Sequence, residues 1–541
     1  MAYCENCGTK LGTNDRFCEN CGEKVISVAT AFSNSRLEKG DIGSGDAVFS
    51  LFKRPDWQSK WKKTALFGKN CGTGIILTRE KALLDHLANG SAGALHGAIA
   101  EYTQFCRSRG VEYYYLDCDN NAVSYGCHSV EEIVELLKNI DAVAHPDYLF
   151  ILGNEEVIDV AVWEDRTGDD EDIESDWCYT VLDTSSPWNN GRFNLQKALR
   201  VGRLPVYRGE DFALFKSYFD AVRLAACERS SVKTYGLSAQ VWEDESNHEY
   251  RSFARGRVDA SPEVTLDDIE MHLDPAANVF FFNLHGSNET EYWYGQKFSY
   301  YPEAVSPAVF SGTSKPCVIG VEACYGARYT RGLTAEDSIL LNAMTHNCIS
   351  FVGSSRIAYG TPSPPGSCAD VVVGEFLRQI TRARSAGDAF LQGIRELVSS
   401  SGSFDDTESK TVMEFNLYGD PSVSISSPGI KYAASALDSH GLSGNLHSKI
   451  EVPLPEIRLA VQMERAKVNA QIEQLIDEFV FRKYFRESDM KSASEIRQKT
   501  FRLPGAYLNQ KVFSRKLRNF SQIVKVYFDD QGQVRKVYES K

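Results

Sequence analysis

Two side chains that together could perform nucleophilic catalysis stand after short apolar runs of this sequence. His285 follows the run 279–284 and precedes Gly286, and Cys324 follows the run 316–321 and two further residues. A thiol beside an imidazole can be deprotonated and attack a carbonyl, and the imidazole can then give the proton to the leaving group. The pair predicts acyl-transfer chemistry with Cys324 as the nucleophile and His285 as the base and acid. The alternative is a small buried cysteine, the usual fate of a free thiol, which we expect for Cys71, Cys317 and Cys348.

A second set of reactive side chains is the repeated block Cys-Glu-Asn-Cys-Gly. Cys4 and Cys7 form the first Cys-x-x-Cys pair, Cys18 and Cys21 form the second, and ten residues separate the pairs. This spacing predicts a tetrahedral structural zinc site, since four cysteines leave no open coordination position. Zinc binding would supply the folding free energy of so short a segment. A redox pair is the alternative, and the duplication disfavours it.

The elements that must position His285 and Cys324 are the two apolar runs themselves. Both are rich in aromatic and β-branched residues, which is typical of strands buried on both faces of a parallel sheet. Ligands of open parallel sheets bind beyond the carboxyl ends of the strands. We therefore expect an α/β fold in which both side chains reach one cleft.

The sequence resembles the caspase-like cysteine peptidases, and among them the gingipain-like peptidases most. An apolar strand ending in His285-Gly286 precedes an apolar strand ending in Glu322-Ala323-Cys324, and further motifs extend the resemblance from about residue 147 to 426. These further motifs are Asp-Trp-Cys-Tyr at 176–179, Val-Gly-Arg-Leu-Pro-Val at 201–206, Phe-Val-Gly-Ser-Ser-Arg at 351–356, Ala-Gly-Asp-Ala-Phe at 386–390 and Leu-Tyr-Gly-Asp-Pro-Ser at 417–422.

The resemblance implies a fold and an oxyanion hole. The fold is a mainly parallel sheet flanked by helices, with a smaller α/β sheet subdomain before the catalytic one. The backbone N–H groups of Gly286 and Cys324 would bind the oxyanion. At 286 a glycine suits the close approach of a substrate carbonyl to the main chain. Glu322 matches the family's Glu-Ala-Cys, with a structural role.

The resemblance also implies an acidic residue that orients the histidine, from the loop after an earlier strand. Glu243 is the nearest match, with Asp244 and Glu245 as alternatives, although charged runs of this kind are usually solvated loops. Asp244, Glu249 or Glu289 would line a substrate pocket for Arg or Lys. The aromatic segment 292–301 would line the substrate groove or pack as an ordinary loop.

We divide the chain into five parts. Residues 1–24 are the zinc ribbon and 25–45 a linker rich in Ser, Asn and Gly. Residues 46–225 form the first α/β subdomain, with an acidic surface loop at 164–176, and 226–427 the catalytic subdomain. Residues 428–541 form an accessory α+β domain, with a helix starting at Pro455 and a β-hairpin at 523–538.

Charge and composition limit the functional classes. The net charge is −14, so nonspecific binding of nucleic acid by the whole molecule is not expected. Residues 428–541 hold 20 Lys and Arg against 13 Asp and Glu, a net charge of +7, and the rest of the chain has a net charge of −21. This basic part would dock internally, meet an acidic partner or form a solvated helical surface.

The expected location is the cytoplasm. The sequence has no secretory signal, and the fourteen cysteines read as reduced thiols rather than as a disulfide framework. It also has no long apolar segment, so no membrane association is expected.

We therefore predict a cytoplasmic cysteine endopeptidase that acts on proteins or peptides. A partner would recruit or gate it through the zinc ribbon or the accessory domain. Two other functions stay open. One is a catalytically silent peptidase-like scaffold that binds a protein. The other is a nucleic-acid-associated zinc-ribbon factor, which the acidic body disfavours.

Overall fold

A ten-stranded sheet lies at the centre of the computed structural model. The chain divides into two units, Met1–Ala47 and Val48–Lys541. The structure describes residues 2–3, 10–11, 48–65, 72–123, 127–190, 195, 198–227, 232–274, 276–400, 405–425, 470–485, 493–503, 506–529 and 531–541. In the first unit, Ala2–Tyr3 pairs antiparallel with Lys10–Leu11. The four cysteines predicted to bind zinc, and the linker, lie outside the described residues.

The sheet consists of two parallel blocks that run in opposite directions. The blocks meet where Cys348–Ser354 pairs antiparallel with Phe415–Tyr418, which is in turn parallel to Arg200–Leu204. From one edge to the other the strands are Asp259–Ser261, Thr234–Ala239, Val279–Asn283, Cys317–Val321, Cys348–Ser354, Phe415–Tyr418, Arg200–Leu204, Tyr148–Leu152, Gly72–Thr78 and Val111–Asp117. The prediction of a mainly parallel caspase-like sheet is confirmed. Both halves of the peptidase contribute to this one sheet, and the first half supplies four of its strands, Arg200–Leu204, Tyr148–Leu152, Gly72–Thr78 and Val111–Asp117.

Helices cover the sheet with amphipathic faces. Two of them begin with a capping box, Val130–Ala144 with Ser129 and Glu132, and Asp406–Glu414 with Asp405 and Glu408. The α-helices are Trp57–Ala65, Glu80–His86, Ala92–Ser108, Val130–Ala144, Trp177–Val181, Pro187–Asn190, Phe212–Cys227, Glu243–Phe253, Ile269–His272, Ile339–Thr345, Ala369–Ile380, Ala386–Ser400, Asp406–Glu414 and Ala470–Lys483. Short 3₁₀ helices are Leu51–Lys53, Gln240–Trp242 and Pro307–Gly312. In the part of the chain that the structure describes, no helix has the length and apolar character needed to cross a bilayer.

The accessory domain is larger than a helix and a hairpin. Its four strands are Ala493–Leu503, Ala506–Lys516, Ser521–Asp529 and Val534–Ser540, and they form an antiparallel sheet. Tyr359–Gly360 of the peptidase body pairs with Val534–Ser540 and so becomes the fifth strand. We call the four accessory strands the C-terminal sheet. Helix Ala470–Lys483 packs on it through Ile476 and Val480. The predicted start of this helix at Pro455 lies outside the described residues.

Two local predictions were wrong. The predicted polar loop at 242–246 consists of the last residue of the 3₁₀ helix Gln240–Trp242 and the first turn of helix Glu243–Phe253. The predicted acidic surface loop at 164–176 contains a strand pair, Ala161–Glu164 with Asp172–Ser175, and several of its carboxylates are buried. They are buried because lysines pair with them: Lys410 Nζ lies 3.0 Å from Asp165, and Lys525 Nζ lies 2.5 Å from Asp169. A buried carboxylate requires such a partner.

Two further pairs of short strands complete the β structure of the described residues. Leu87–Ala88 is parallel to Glu210–Asp211, and Trp293–Tyr294 is antiparallel to Glu303–Val305. The second of these pairs stands next to the predicted catalytic histidine, because His285 forms an isolated antiparallel bridge with Tyr294.

Candidate active site

The two residues expected to perform catalysis leave the sheet at the same edge. Val279–Asn283 and Cys317–Val321 are neighbouring parallel strands, with Phe282 opposite Val321. His285 follows the first strand by two residues, and Cys324 follows the second by three. The backbone N–H of Glu322 donates to the carbonyl of Phe282 and continues the ladder up to this point (2.9 Å).

The backbone amides of Gly286 and Cys324 point at one oxygen atom. Both N–H groups donate to the carbonyl oxygen of Lys541, over 3.4 Å from Gly286 and 3.2 Å from Cys324. Two converging N–H groups form the kind of site that binds the oxyanion of acyl transfer. Residue 286 must be glycine, because a Cβ there would lie 1.7 Å from the backbone oxygen of Cys324.

A glutamine fixes the orientation of the imidazole. Gln296 Nε2 donates to the carbonyl of Phe298 and to the hydroxyl of Tyr301, both over 3.0 Å, which turns Oε1 toward His285. Oε1 accepts from His285 Nε2 over 2.6 Å. The proton therefore stays on Nε2, and the buried Nδ1, which has no hydrogen-bond partner among the described residues, keeps its lone pair. An imidazole in this tautomer can accept a proton at Nδ1.

The C-terminal sheet covers both side chains. The ring of Phe520 stacks on His285 with 4.9 Å between centroids, and Trp242 packs on the imidazole at 4.4 Å. Cys324 belongs to an apolar cluster with Val512, Ile523, Tyr527 and Tyr538 of the C-terminal sheet. As a result His285 is fully buried and Cys324 is 4% exposed.

Burial keeps both groups uncharged in this arrangement. It raises the pKa of the Cys324 thiol above its ordinary value. The carbonyl of Ala358 accepts from Sγ over 3.5 Å. Burial also lowers the pKa of His285 to about 3. The hydrogen bond that His285 Nε2 donates to Gln296 Oε1 opposes that shift, and the positive charges of Lys541 and Arg515 add to it. A neutral thiol is a weak nucleophile.

A buried group of carboxylates lies beside the cysteine. Glu245, Glu322 and Asp370 offer oxygen atoms within 4.8 Å of one another, a geometry that could hold a cation. The ammonium of Lys541 occupies this position, 3.0 Å from Asp370 Oδ1 and 3.8 Å from Glu322 Oε2. It also lies 4.4 Å from the ring centroid of Trp242. We call Trp242, Glu245, Glu322 and Asp370 the carboxylate pocket.

Burial raises the pKa values of Glu245 and Glu322, and repulsion by Asp370 raises both further. The charge of Lys541 has the opposite effect on both carboxyl groups. The pocket therefore holds one lysine charge among carboxyl groups that tend to keep their protons.

The predicted orienting residue and pocket residues have other neighbours. Glu243 is ion-paired with Arg257 over 2.9 Å, and Gln296 stands where an orienting acid was expected. Asp244 is exposed, and Glu289 pairs with Lys516 of the C-terminal sheet over 2.5 Å. Glu249 borders the carboxylate pocket, where burial and the charge of Asp370 raise its pKa to about 7.

Four functional candidates were missed in the sequence: Trp242, Gln296, Asp370 and Lys541. Gln296 lies inside the aromatic segment 292–301, and its Nε2 donates to the hydroxyl of Tyr301. An amide side chain among aromatic residues, soon after the predicted catalytic histidine, could have identified it from the sequence. Asp370 and Lys541 lie 46 and 217 residues beyond Cys324 in the chain, and no local pattern connects them to it.

Comparison with known proteins gives two family matches. The model of peptidase family C25 matches residues 75–426, which is more than half of the chain, and the zinc-ribbon domain matches residues 3–25. No curated protein matches. A solved structure described as a protease is 13% identical, with a TM-score of 0.42, and the match covers 66% of this chain and 79% of the other. The chain therefore belongs to peptidase family C25, the gingipain family of cysteine peptidases.

Proposed function

We propose that the peptidase hydrolyses peptide bonds with Cys324 as the nucleophile and His285 as the general base and acid. His285 Nδ1 takes the thiol proton, and the sulfur attacks the carbonyl carbon of the substrate. The resulting oxyanion accepts from the N–H groups of Gly286 and Cys324. The C–N bond then breaks as His285 protonates the leaving amine, and water hydrolyses the thioester to release the acid and restore the thiol.

One observation supports this proposal above the others. The backbone oxygen of Lys541 accepts from the Gly286 and Cys324 amides together, so these two N–H groups already bind a single oxygen atom, as the mechanism requires of an oxyanion hole. The neighbouring strand ends bring the imidazole to the same edge of the sheet, and Gln296 leaves Nδ1 free to take a proton.

We infer that the C-terminal sheet gates the enzyme. A substrate can reach Cys324 only after Phe520 and the apolar residues around the thiol have moved away. The same movement would rehydrate both catalytic groups and so lower the pKa of the thiol and raise that of the imidazole. The buried pairs Lys525–Asp169 and Lys410–Asp165 hold this region together, and the first of them joins the sheet to the body.

The zinc ribbon and the cellular location are further parts of the proposal. Two Cys-x-x-Cys pairs offer four thiolates, a donor set that suits Zn²⁺, and Cys4, Cys7, Cys18 and Cys21 would hold it in a structural role. A protein partner that binds the ribbon or the C-terminal sheet would recruit or open the enzyme. The cytoplasmic location stays a prediction from the thiol content.

Labelling by an acyloxymethyl ketone that carries lysine tests the catalytic proposal. The full chain and its Phe520→Ala variant, which removes the ring over His285, are incubated with the probe and weighed intact. We expect one adduct, formed faster in Phe520→Ala and absent when Cys324→Ala or His285→Ala is added. The control Cys348→Ala, which removes another buried thiol, should keep it. An adduct that survives Cys324→Ala would refute the assignment, and folded Phe520→Ala protein without any adduct would favour the silent scaffold.

A further inference from the structure

The last strand of the chain runs along the edge of the cleft. Val534–Ser540 pairs antiparallel with Tyr359–Gly360, with Ser540 opposite Tyr359. The N–H of Lys541 then donates to the carbonyl of Ala358 over 3.0 Å, and Ala358 is also the residue that accepts from the Cys324 thiol. Addition of an extended segment to a free strand edge is a general mode of peptide recognition, in which the backbone gives affinity and pockets give specificity.

Three separate contacts hold Lys541 in the position that a substrate residue would take just before the cleaved bond. Its N–H bonds to the strand edge, its carbonyl oxygen bonds to the amides of Gly286 and Cys324, and its ammonium enters the carboxylate pocket. A lysine that served only to stabilise the fold would need an ion partner, but it would not need its carbonyl on the Cys324 amide. The side chain is fully enclosed, and the residue is 1% exposed.

The walls of the pocket fit a lysine stem. A Cβ on residue 360 would lie 2.2 Å from Cε of Lys541 and 2.3 Å from Asp370 Oδ1, so glycine at this position leaves the passage open. Ser540, the residue before Lys541, is also held in place, because its Oγ accepts from the N–H of Ile523 over 2.9 Å. Glu539 accepts from Trp242 Nε1 over 3.0 Å, which links the strand to the pocket.

We propose that residues 539–541 occupy the substrate cleft of their own chain as a peptide substrate does, and that the carboxylate pocket selects lysine at this position. The proposal rests on the proposed function and adds its substrate class and the identity of the inhibitory segment. Carboxylates on several sides of one ammonium suit a compact charge with donors in three directions. The planar guanidinium of arginine prefers a carboxylate that lies in its own plane. Its head is also larger than an ammonium group, so arginine should fit this enclosed pocket less well than lysine.

The first test measures binding without catalysis. In a Cys324→Ala background, residues 539–541 are deleted, and a fluorescent Val-Tyr-Glu-Ser-Lys amide is titrated by anisotropy. We expect this peptide to show saturable binding. A peptide with Ala in place of the lysine should bind at least tenfold more weakly, and a peptide with Arg should also bind more weakly. Adding Asp370→Asn to the protein should weaken binding of the lysyl peptide at least tenfold. The undeleted Cys324→Ala chain should bind little, because its own strand fills the cleft. Equal binding of the Lys and Ala peptides, or no binding to folded deleted protein, would overturn the proposal.

The second test uses the lysyl probe on chains of full length. Lys541→Ala and Lys541→Met are compared with wild type and with the control Lys516→Ala, which removes an exposed lysine of the same C-terminal sheet. We expect labelling of Cys324 to be at least tenfold faster in both Lys541 variants and unchanged in the control. Circular dichroism and melting establish that each variant is folded. Equal rates in wild type and both variants would refute self-inhibition.

The two tests separate the two proposals. Selective binding of the lysyl peptide without labelling of Cys324 in any variant would refute the catalytic assignment and leave the lysine pocket standing. Labelling of Cys324 at the same rate with and without Lys541, together with no peptide selectivity, would refute the inference and leave the nucleophile standing.

Discussion

The carbonyl oxygen of Lys541 lies 3.2 Å from the amide nitrogen of Cys324. These residues are 217 positions apart, and the contact brings the accessory domain into the candidate active site. The charge distribution of the sequence has its explanation here. The basic part of the chain docks internally, because Lys525, Lys536 and Lys541 are all ion-paired with carboxylates of the body.

A methyl group at residue 286 should destroy both activity and stability. The Cβ of Gly286→Ala would overlap with backbone atoms of Cys324, which cannot move without displacing the nucleophile. We expect a loss of at least about 3 kcal/mol in the free energy of unfolding in urea, and no labelling of Cys324. The control is Gly97→Ala, in helix Ala92–Ser108, where a Cβ meets no atom within 4 Å. It should be neutral or stabilise by about 0.5–1 kcal/mol. Normal labelling in Gly286→Ala would contradict the proposed oxyanion hole.

Gln296 should act as a positioning residue for His285. In the Lys541→Ala background, Gln296→Leu should reduce kcat for a lysyl peptide by about 10²–10⁴-fold, because the imidazole loses the group that fixes its tautomer. Gln296→Glu keeps an acceptor for Nε2–H, so it should retain more activity. Its carboxylate should raise the pKa of His285 and move the acidic limb of the pH–rate profile to higher pH. If Gln296 had only a structural role, Gln296→Glu would change the stability of the protein and leave the acidic limb of the pH–rate profile where it is. That result would refute the assignment.

The strands and their ends could be predicted, but the contacts made over long distances could not. Apolar runs rich in β-branched residues identified the strands before His285 and Cys324, because burial on both faces leaves a strong local pattern. The helix Glu243–Phe253 was missed, since its first turn is acidic and polar and Tyr250 and Phe253 are its only large apolar side chains. Asp370 and Lys541 meet only through tertiary structure, so no spacing rule connects them.

Acid should weaken the closed state through His285. Its pKa is lowered to about 3 in the folded chain, and an exposed histidine titrates near 6.5, so between these values the unfolded chain binds more protons. Stability should therefore fall as the pH drops from about 6.5 toward 3, by at most about 1.4 kcal/mol per pH unit from this one group. The groups that face the ring are Gln296, Lys541 and Arg515, together with the uncharged rings of Trp242, Tyr301 and Phe520.

Urea unfolding from pH 7 to pH 4 measures this effect of acid. In His285→Gln the slope of stability against pH should decrease relative to wild type. The control His128→Gln changes an exposed histidine and should keep the wild-type slope. An unchanged slope in His285→Gln would show that the imidazole is not buried in its neutral form.

Zinc removal should affect the first unit alone. Met1–Ala47 forms a unit separate from Val48–Lys541, and four thiolates are its proposed source of folding energy. A strong chelator at pH 7 should therefore release about one Zn²⁺ per chain, while the melting temperature of the larger unit stays the same. Metal content is measured by mass spectrometry, and melting by calorimetry.

The matched control for the chelator is Cys4→Ser with Cys18→Ser, which should bind no zinc and melt like the treated wild type. A fall in the melting temperature of the larger unit on chelation would show that the two units depend on each other.

The pair Lys525–Asp169 should hold the C-terminal sheet on the peptidase body. Both side chains are almost completely buried, and Lys525 Nζ also lies 3.9 Å from the ring centroid of Tyr359 in the strand that pairs with Val534–Ser540. Lys525→Met leaves the carboxylate of Asp169 buried without this cation, although Tyr359 still donates to it. We expect a loss of about 3–5 kcal/mol in the free energy of unfolding and faster labelling of Cys324, because the sheet dissociates from the cleft more often.

Two variants complete this experiment. Lys516→Met removes an exposed lysine of the same sheet and should change stability by less than about 1 kcal/mol. The double variant Lys525→Met with Asp169→Asn removes the carboxylate charge as well and should recover part of the lost stability. If Lys525→Met loses stability but labels Cys324 at the wild-type rate, the buried pair supports the fold without controlling access to the nucleophile, and the gate would have to open elsewhere in the C-terminal sheet.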